Sequence, residues 1–271
     1  MQIKSHEDIV LIWQSGQIAS RLHEELRNLV KPGITTGELD QAARKFISQH
    51  NGQPTFLGYR GYPGAICVSI NDEIVHGIPG ERAIEEGDLV SIDLGVTYKK
   101  RISDTARSWL VTANGAAACD PDSTEAKHKL CRGTEQSLYA GINAVGNGVR
   151  LREVSRAIQH VLQDYKLGIV RELTGHGVGF ELHEEPTIYN FDTGIRGPAL
   201  VDGCVVAIEP MATNGSEMIL LAADEWTYKT MDGSLAAHYE HTVALWDDEV
   251  FIMTDHTNDK AAQAFGKGRG V

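Results

Sequence analysis

A chain of 271 residues with 42% apolar content is long enough to bury one large core or two modest ones. No apolar run reaches membrane-spanning length, and the N-terminus lacks the basic-then-apolar pattern of a secretory signal, so a soluble, cytoplasmic protein is expected. The formal charge of −12 argues against a general nucleic-acid or anionic-membrane surface.

In chain order, Ser5 followed by Asp8 predicts a capping box that opens a helix through about Val30. Lys31-Pro32-Gly33 breaks it. Thr35 and Glu38 open a second helix, in which Leu39, Ala42, Ala43, Phe46 and Ile47 form one apolar stripe before Asn51-Gly52. Residues 56–80 are rich in Gly, Tyr and Pro and hold the strand-like run from Ala65 to Ile70. The stretch from Leu89 to Val96 alternates, with Val90, Ile92, Leu94 and Val96 on one face and Ser91, Asp93 and Gly95 on the other, the period of a half-buried strand. Asp104 to Val111 suits a returning strand. With a turn at Tyr98-Lys99, opposing residues would have numbers summing to 197, setting Asp93 directly across from Asp104. Two such carboxylates repel by about 4 kcal/mol at an effective dielectric near 20. They are tolerated if one is protonated, if both are solvated, or if a cation lies between them. Ala113 to Asp122 reads as a loop, helices are expected near 123–144 and 151–166, and the tail from Asn258 to Val271 is expected to be mobile. Cys67, Cys119, Cys131 and Cys204, without CxxC spacing, read as free thiols.

The order then repeats. Gly33–Leu39 matches Gly148–Val154 at an offset of 115, and Gly87–Asp93 matches Gly203–Glu209 at an offset of 116. Two matches at nearly one offset predict a duplicated helix-plus-sheet unit, with halves of about 5–120 and 121–255 in one catalytic domain spanning 1–271. Both repeats end on a carboxylate in an apolar strand, which puts Asp93 and Glu209 in related positions.

Five residues interrupt stretches that otherwise favour burial: Asp93, Asp104, His176 in Gly175-His176-Gly177, Glu209 and Glu240. Glycines around His176 remove bulk and let a ligand or backbone approach. Four carboxylates and a neutral imidazole carry −4, which two divalent cations would cancel. Oxygen-rich ligation suits Mn, Fe(II), Co or a mixed-ligand zinc pair.

These five residues, with Asn71-Asp72-Glu73-Ile74-Val75-His76-Gly77-Ile78-Pro79, His183-Glu184-Glu185-Pro186 and Tyr239-Glu240-His241-Thr242, resemble the methionine aminopeptidases. The resemblance runs from about Ser5 to Thr254 and is of the bacterial or organellar type I kind. The spacing of 33 from His176 to Glu209 leaves no room for the helical insertion of type II enzymes, and no Cys/His-rich extension precedes the core.

The resemblance implies an α+β pita-bread fold and hydrolysis of N-terminal methionine from nascent chains with a small second residue. It implies two divalent ions (Co, Mn, Fe(II), Ni or Zn) bridged by water or hydroxide. Asp93 would chelate one ion, His176 complete the other, Asp104 and Glu240 bridge, and Glu209 ligate and shuttle a proton. His183 would stabilise the oxyanion and His76 contact the substrate backbone. Phe56, Tyr59, Tyr62, Cys67, Leu182 and Trp226 fall where the family lines its methionine slot, and sulfur–aromatic contacts there are worth roughly 0.3–1.5 kcal/mol. A monomer acting on chains at the ribosome, with no nucleic-acid or membrane partner, is the expectation.

Two departures bear on this. Lys100-Arg101-Ile102-Ser103 stands where the family shows an aromatic or His followed by Gly, and Arg60 replaces a frequent His. Neither removes a ligand; both touch the hairpin geometry and the contacts to the second residue. The alternatives are an Xaa-Pro dipeptidase or creatinase-like hydrolase, which usually carries a further N-terminal domain, and a non-catalytic pita-bread module, which generally loses its ligands.

Overall fold

The computed structural model describes residues 1–120, 122, 123 and 125–266. Helix α1 (His6–Leu29) starts on Ser5, whose hydroxyl accepts from the Asp8 N–H while the Asp8 carboxylate accepts from the Ser5 N–H. Helix α2 (Thr36–Gln49) repeats the device with Thr35 and Glu38. Helices α3 (Ala126–Asn143) and α4 (Leu151–Asp164) flank Gly146-Asn147-Gly148 as α1 and α2 flank Gly33.

Each helix pair covers one antiparallel sheet. In the first, the long strand Leu89–Tyr98 pairs on one edge with Gln53–Pro54 and Cys67–Ile70, and on the other with Arg101–Thr112, which pairs in turn with Gly115–Ala117. The second runs in the spatial order Glu249–Ile252, His241–Trp246, Val205–Ile208, Gly175–Gly177, Glu184–Ile188. Val90, Ile92, Leu94 and Val96 all pack under α1 and α2 with Leu22, Leu26, Leu39 and Ile47. Val206, Ile208 and Val243 pack likewise under α3 and α4 with Leu138, Ile142, Val154 and Ile158. The opposite faces carry the polar residues, so the alternation in sequence sorts core from site. This is the pita-bread fold.

The matching segments behave alike. Gly33 and Gly148 have φ of 93° and 81°, and Gly87 and Gly203 have 94° and 83°, values at which only glycine is unstrained. The isolated bridge Thr35–Ala83 has its counterpart in Arg150–Ala199.

Three expectations are corrected. The hairpin register pairs Asp93 with Ala106 and Gly95 with Asp104, so opposing numbers sum to 199. The cause is the turn: Lys99 (φ 46°) and Lys100 (φ 66°) are its two loop residues, whereas a turn one residue earlier, at Tyr98-Lys99, was expected. A slip of two residues keeps each side chain on its face, so the aspartates are diagonal neighbours rather than opposed. Within the expected loop at 113–122, Gly115–Ala117 is a strand paired with Leu110, Val111 and Thr112. The tail expected to be mobile from Asn258 forms a fifth helix, α5 (Asp259–Phe265), capped by the Asn258 side chain and anchored by buried Phe265 against Phe251. Residues 267–271 of that tail lie outside the described residues.

Candidate metal centre and substrate pocket

The carboxylates come from elements that belong to different halves. Asp93 and Asp104 project from the 89–98 and 101–112 strands; His176 lies opposite Ala207; Glu209 ends the strand Val205–Ile208; and Glu240 sits between Ala236–His238 and His241–Trp246. The halves are joined where the two edges meet. The Asp104 N–H donates to the Thr242 hydroxyl, which donates back to the Asp104 carbonyl, both at 2.8 Å. The Thr105 hydroxyl donates to the Glu240 carbonyl at 2.8 Å, and the Glu240 N–H to the Ala106 carbonyl at 2.9 Å. Those bonds set Asp104 beside Glu240.

Ligand atoms of Asp104, His176 and Glu240 lie within 4.8 Å of one another. His176 Nε2 is 3.1 Å from Glu209 Oε1, and its Nδ1 meets the Gly177 carbonyl at 2.9 Å. Asp93 Oδ1, Glu209 Oε1 and Glu240 Oε1 are buried with no hydrogen-bond partner, and among the described residues no lysine or arginine pairs with any of the four carboxylates. Buried, unneutralised carboxylates of this kind are costly unless a cation completes them. The donor set of four carboxylates and an imidazole fits hard or borderline divalent ions.

The titration of the site follows from this crowding. Burial, then the charge of Asp104, pushes the Asp93 carboxyl well up. Burial also lifts Asp104 to about 7, against the pull of His176. Glu240 is raised by burial and by the three other carboxylates. Glu209 goes the other way: burial raises it, but the close His176 and His238 rings hold it at about 2. For His176, burial lowers the ring and Glu209 and Asp104 more than reverse it, to about 9.

A cavity of about 140 Å³ opens onto these groups and is lined by Phe56, Tyr59, Tyr62, Cys67, Leu182 and Trp226 together with His76 and His183. Every residue singled out from the sequence for the site thus borders one space. Cys67 is there because it pairs directly with Asp93. Tyr62 and Trp226 meet edge to face at 5.1 Å. His183 meets His176 edge to face at 4.4 Å, and its Nδ1 is 2.8 Å from the Tyr59 hydroxyl. Burial and the neighbouring His176 hold His183 down to about 4. His76 has a left-handed backbone (φ 61°), a local strain of the kind that collects at functional sites.

Sequence reasoning missed His238. It is buried, its Nε2 makes no hydrogen bond, and it lies 3.6 Å from Glu209 Oε2. Its only signal was proximity to Glu240. Also missed was the fully buried ion pair of Lys4 with Glu184. Glu184 Oε1 accepts from the Phe180 and Glu181 N–H groups as well, so the pair fixes the turn that presents Leu182 and His183. Arg60, noted only as a departure, lines the cavity mouth.

The family model described as metallopeptidase family M24 matches residues 10–246. Methionine aminopeptidase 1 of Bacillus subtilis is 41% identical over 251 residues, covering 93% of this chain and 98% of the relative. The methionine aminopeptidase of Treponema pallidum is 42% identical over 95% of this chain and 97% of its own. Among solved structures, methionine aminopeptidase from Thermotoga maritima superposes with a TM-score of 0.88 at 34% identity, covering 94% and 99% of the two chains. Prolidase from Pyrococcus furiosus shares the fold alone, with a TM-score of 0.70 at 21% identity over 65% of its length.

Proposed function

The chain belongs to metallopeptidase family M24, and from that premise we propose that it hydrolyses the N-terminal methionine from peptides and nascent proteins whose second residue is small, with two divalent ions held by Asp93, Asp104, His176, Glu209 and Glu240. The observation that carries this reading is the set of orphaned carboxylate oxygens converging on one cavity, with no lysine or arginine paired to them among the described residues. Asp93 and Asp104 from the first sheet and His176, Glu209 and Glu240 from the second would hold the ions between them.

Divalent ions bound there would supply an acidified water and a polarised carbonyl. The protein's own groups do the rest. The slot of Phe56, Tyr59, Tyr62, Cys67, Leu182 and Trp226 takes the flexible thioether, and the free amine is drawn toward the carboxylates. His76 meets the substrate backbone. With the Tyr59 hydroxyl as donor to Nδ1, the His183 proton sits on Nε2, where it can meet the developing oxyanion. Glu209 takes the proton of the attacking water and passes it to the leaving amine.

The proposal extends to a single catalytic domain built of two half-repeats, acting as a monomer in the cytoplasm on chains leaving the ribosome. A charge of −12 supports the expected lack of a general nucleic-acid partner. The test is metal-dependent cleavage of a Met-Ala-Ser peptide compared with Ala-Pro and Leu-Pro, alongside calorimetric metal titration. Met-Ala-Ser turnover lost in Asp104→Ala and Glu240→Ala is expected. Preference for the Xaa-Pro substrates, absence of metal binding, or activity retained in those variants would overturn the reading.

A further inference from the structure

A second cavity, of about 330 Å³, is bordered by Tyr239 and His241, the residues on either side of Glu240, and also by Glu24, Arg107, Glu135 and Cys119. Cys119 is half-buried on its wall. It packs against the core cluster that contains Cys131, a fully buried residue in the second turn of α3. The two thiols lie in hydrogen-bonding contact, and the Tyr239 side chain borders both. The Tyr239 hydroxyl donates to the Ser108 carbonyl at 2.9 Å.

We infer that Cys119 and Cys131 form a reversible redox pair, in which Cys119 meets a peroxide arriving through the cavity and Cys131 resolves it as an intramolecular disulfide. The placement divides the roles. Cys119 borders open space, and Cys131 is sealed beneath it. The chemistry agrees: the hydrogen bond from Cys131 holds the Cys119 thiol below its ordinary range, against burial, with the Arg132 charge assisting. Donating that bond and being buried push Cys131 well up. Thiolate character, the requirement for attack, therefore belongs to the accessible member.

In the first step the Cys119 thiolate attacks one peroxide oxygen; the S–O bond forms, the O–O bond breaks, and the departing hydroxide takes a proton to leave as water. In the second, the Cys131 sulfur attacks Cys119, the S–S bond forms, the S–O bond breaks, and the leaving hydroxide takes the Cys131 proton as a second water. Two thiols give up two electrons, and the peroxide is reduced to two waters. Cys67 is buried against Asp93, and Cys204, in the same core as Cys131, lies beside Lys4 and Asp202; neither belongs to the pair.

The test treats the full-length, metal-loaded chain with hydrogen peroxide, alkylates it, and reads intact mass and a non-reducing peptide map. Expected are a loss of the mass of two hydrogens, a peptide joining residues 119 and 131, and reversal by dithiothreitol. Cys131→Ser should leave a sulfenic acid on Cys119 that dimedone traps. Because serine at a fully buried position can unfold the chain, Cys119→Ser carries the test independently: it should form no cross-link and leave Cys131 unoxidised. The inference is overturned if the treated chain keeps both thiols alkylatable, if Cys119 carries a terminal adduct while Cys131 stays alkylatable, or if the cross-link forms elsewhere.

Discussion

Because burial and the neighbouring His176 keep the His183 ring neutral and the Tyr59 hydroxyl meets its Nδ1, its contribution is that of a single aimed donor. His183→Ala should lower kcat by about 10²–10³-fold, as removal of one oxyanion donor does, while calorimetric metal affinity stays near that of the parent. Equal loss of both would make it part of the ligand shell. Tyr59→Phe removes only the bond that fixes the tautomer, worth about 1 kcal/mol, so steady-state kinetics should show roughly a fivefold drop in kcat. The five candidate metal ligands were legible in the sequence because each carboxylate or imidazole interrupts an apolar or glycine-rich run. His238 was not, since Ala236-Ala237-His238 reads like any strand edge. Its place beside Glu209 arises only when Met211 pairs with His238, a long-range pairing that no local pattern reveals.

At the scale of elements, capping chemistry fixed the helix starts to within a residue, since Ser5/Asp8 and Thr35/Glu38 each act within one turn. The hairpin register was misplaced because nothing in Tyr98-Lys99-Lys100-Arg101 carries the Asn-Gly signal that marks a two-residue turn. The structure nonetheless holds both lysines at positive φ, at a cost of about 1 kcal/mol or more each. Lys100→Gly should therefore raise the stability measured by urea unfolding by up to about 1 kcal/mol, with the register unchanged. The clamp between Lys4 and the 180–184 turn was equally illegible, because its partners lie 180 residues apart. Both members are almost fully buried, so Lys4→Met leaves an uncompensated charge. The expected cost is about 3–5 kcal/mol in chemical denaturation, and kcat should fall as the turn bearing His183 loosens. A loss below about 1 kcal/mol would mean that water replaces the ammonium.

For the whole molecule, the two half-repeats meet in a seam lined with acid, and that fixes how stability must depend on pH when no cation is bound. Asp104 is raised to about 7 from 3.8. Its folded form binds the proton more tightly than the unfolded chain does, so its stabilising contribution is full below the ordinary carboxylate range and disappears as pH rises through about 7. His176, raised to about 9, works in the same direction: its contribution is present below 6.5 and lost as pH approaches 9. Glu209, held at about 2, contributes above 4.5 and loses that only in strong acid, outside this window. Buried His241, held down to about 3 by burial and Arg107, costs stability only as pH falls below about 6.5. Between pH 6.5 and 9 the two raised groups therefore prevail, and chelator-treated protein should melt at progressively lower temperature. Divalent ions require the deprotonated carboxylates and neutral imidazole that rising pH provides. Adding Mn²⁺ at about 100 times its Kd should restore about 2.7 kcal/mol by mass action, and the gap between treated and reloaded protein should widen with pH. Asp104→Asn supplies the control: it should be more stable than the parent without metal at pH 8 and respond little to Mn²⁺. A gap that stays flat from pH 6.5 to 9 would mean that the seam is neutralised by something other than a bound cation.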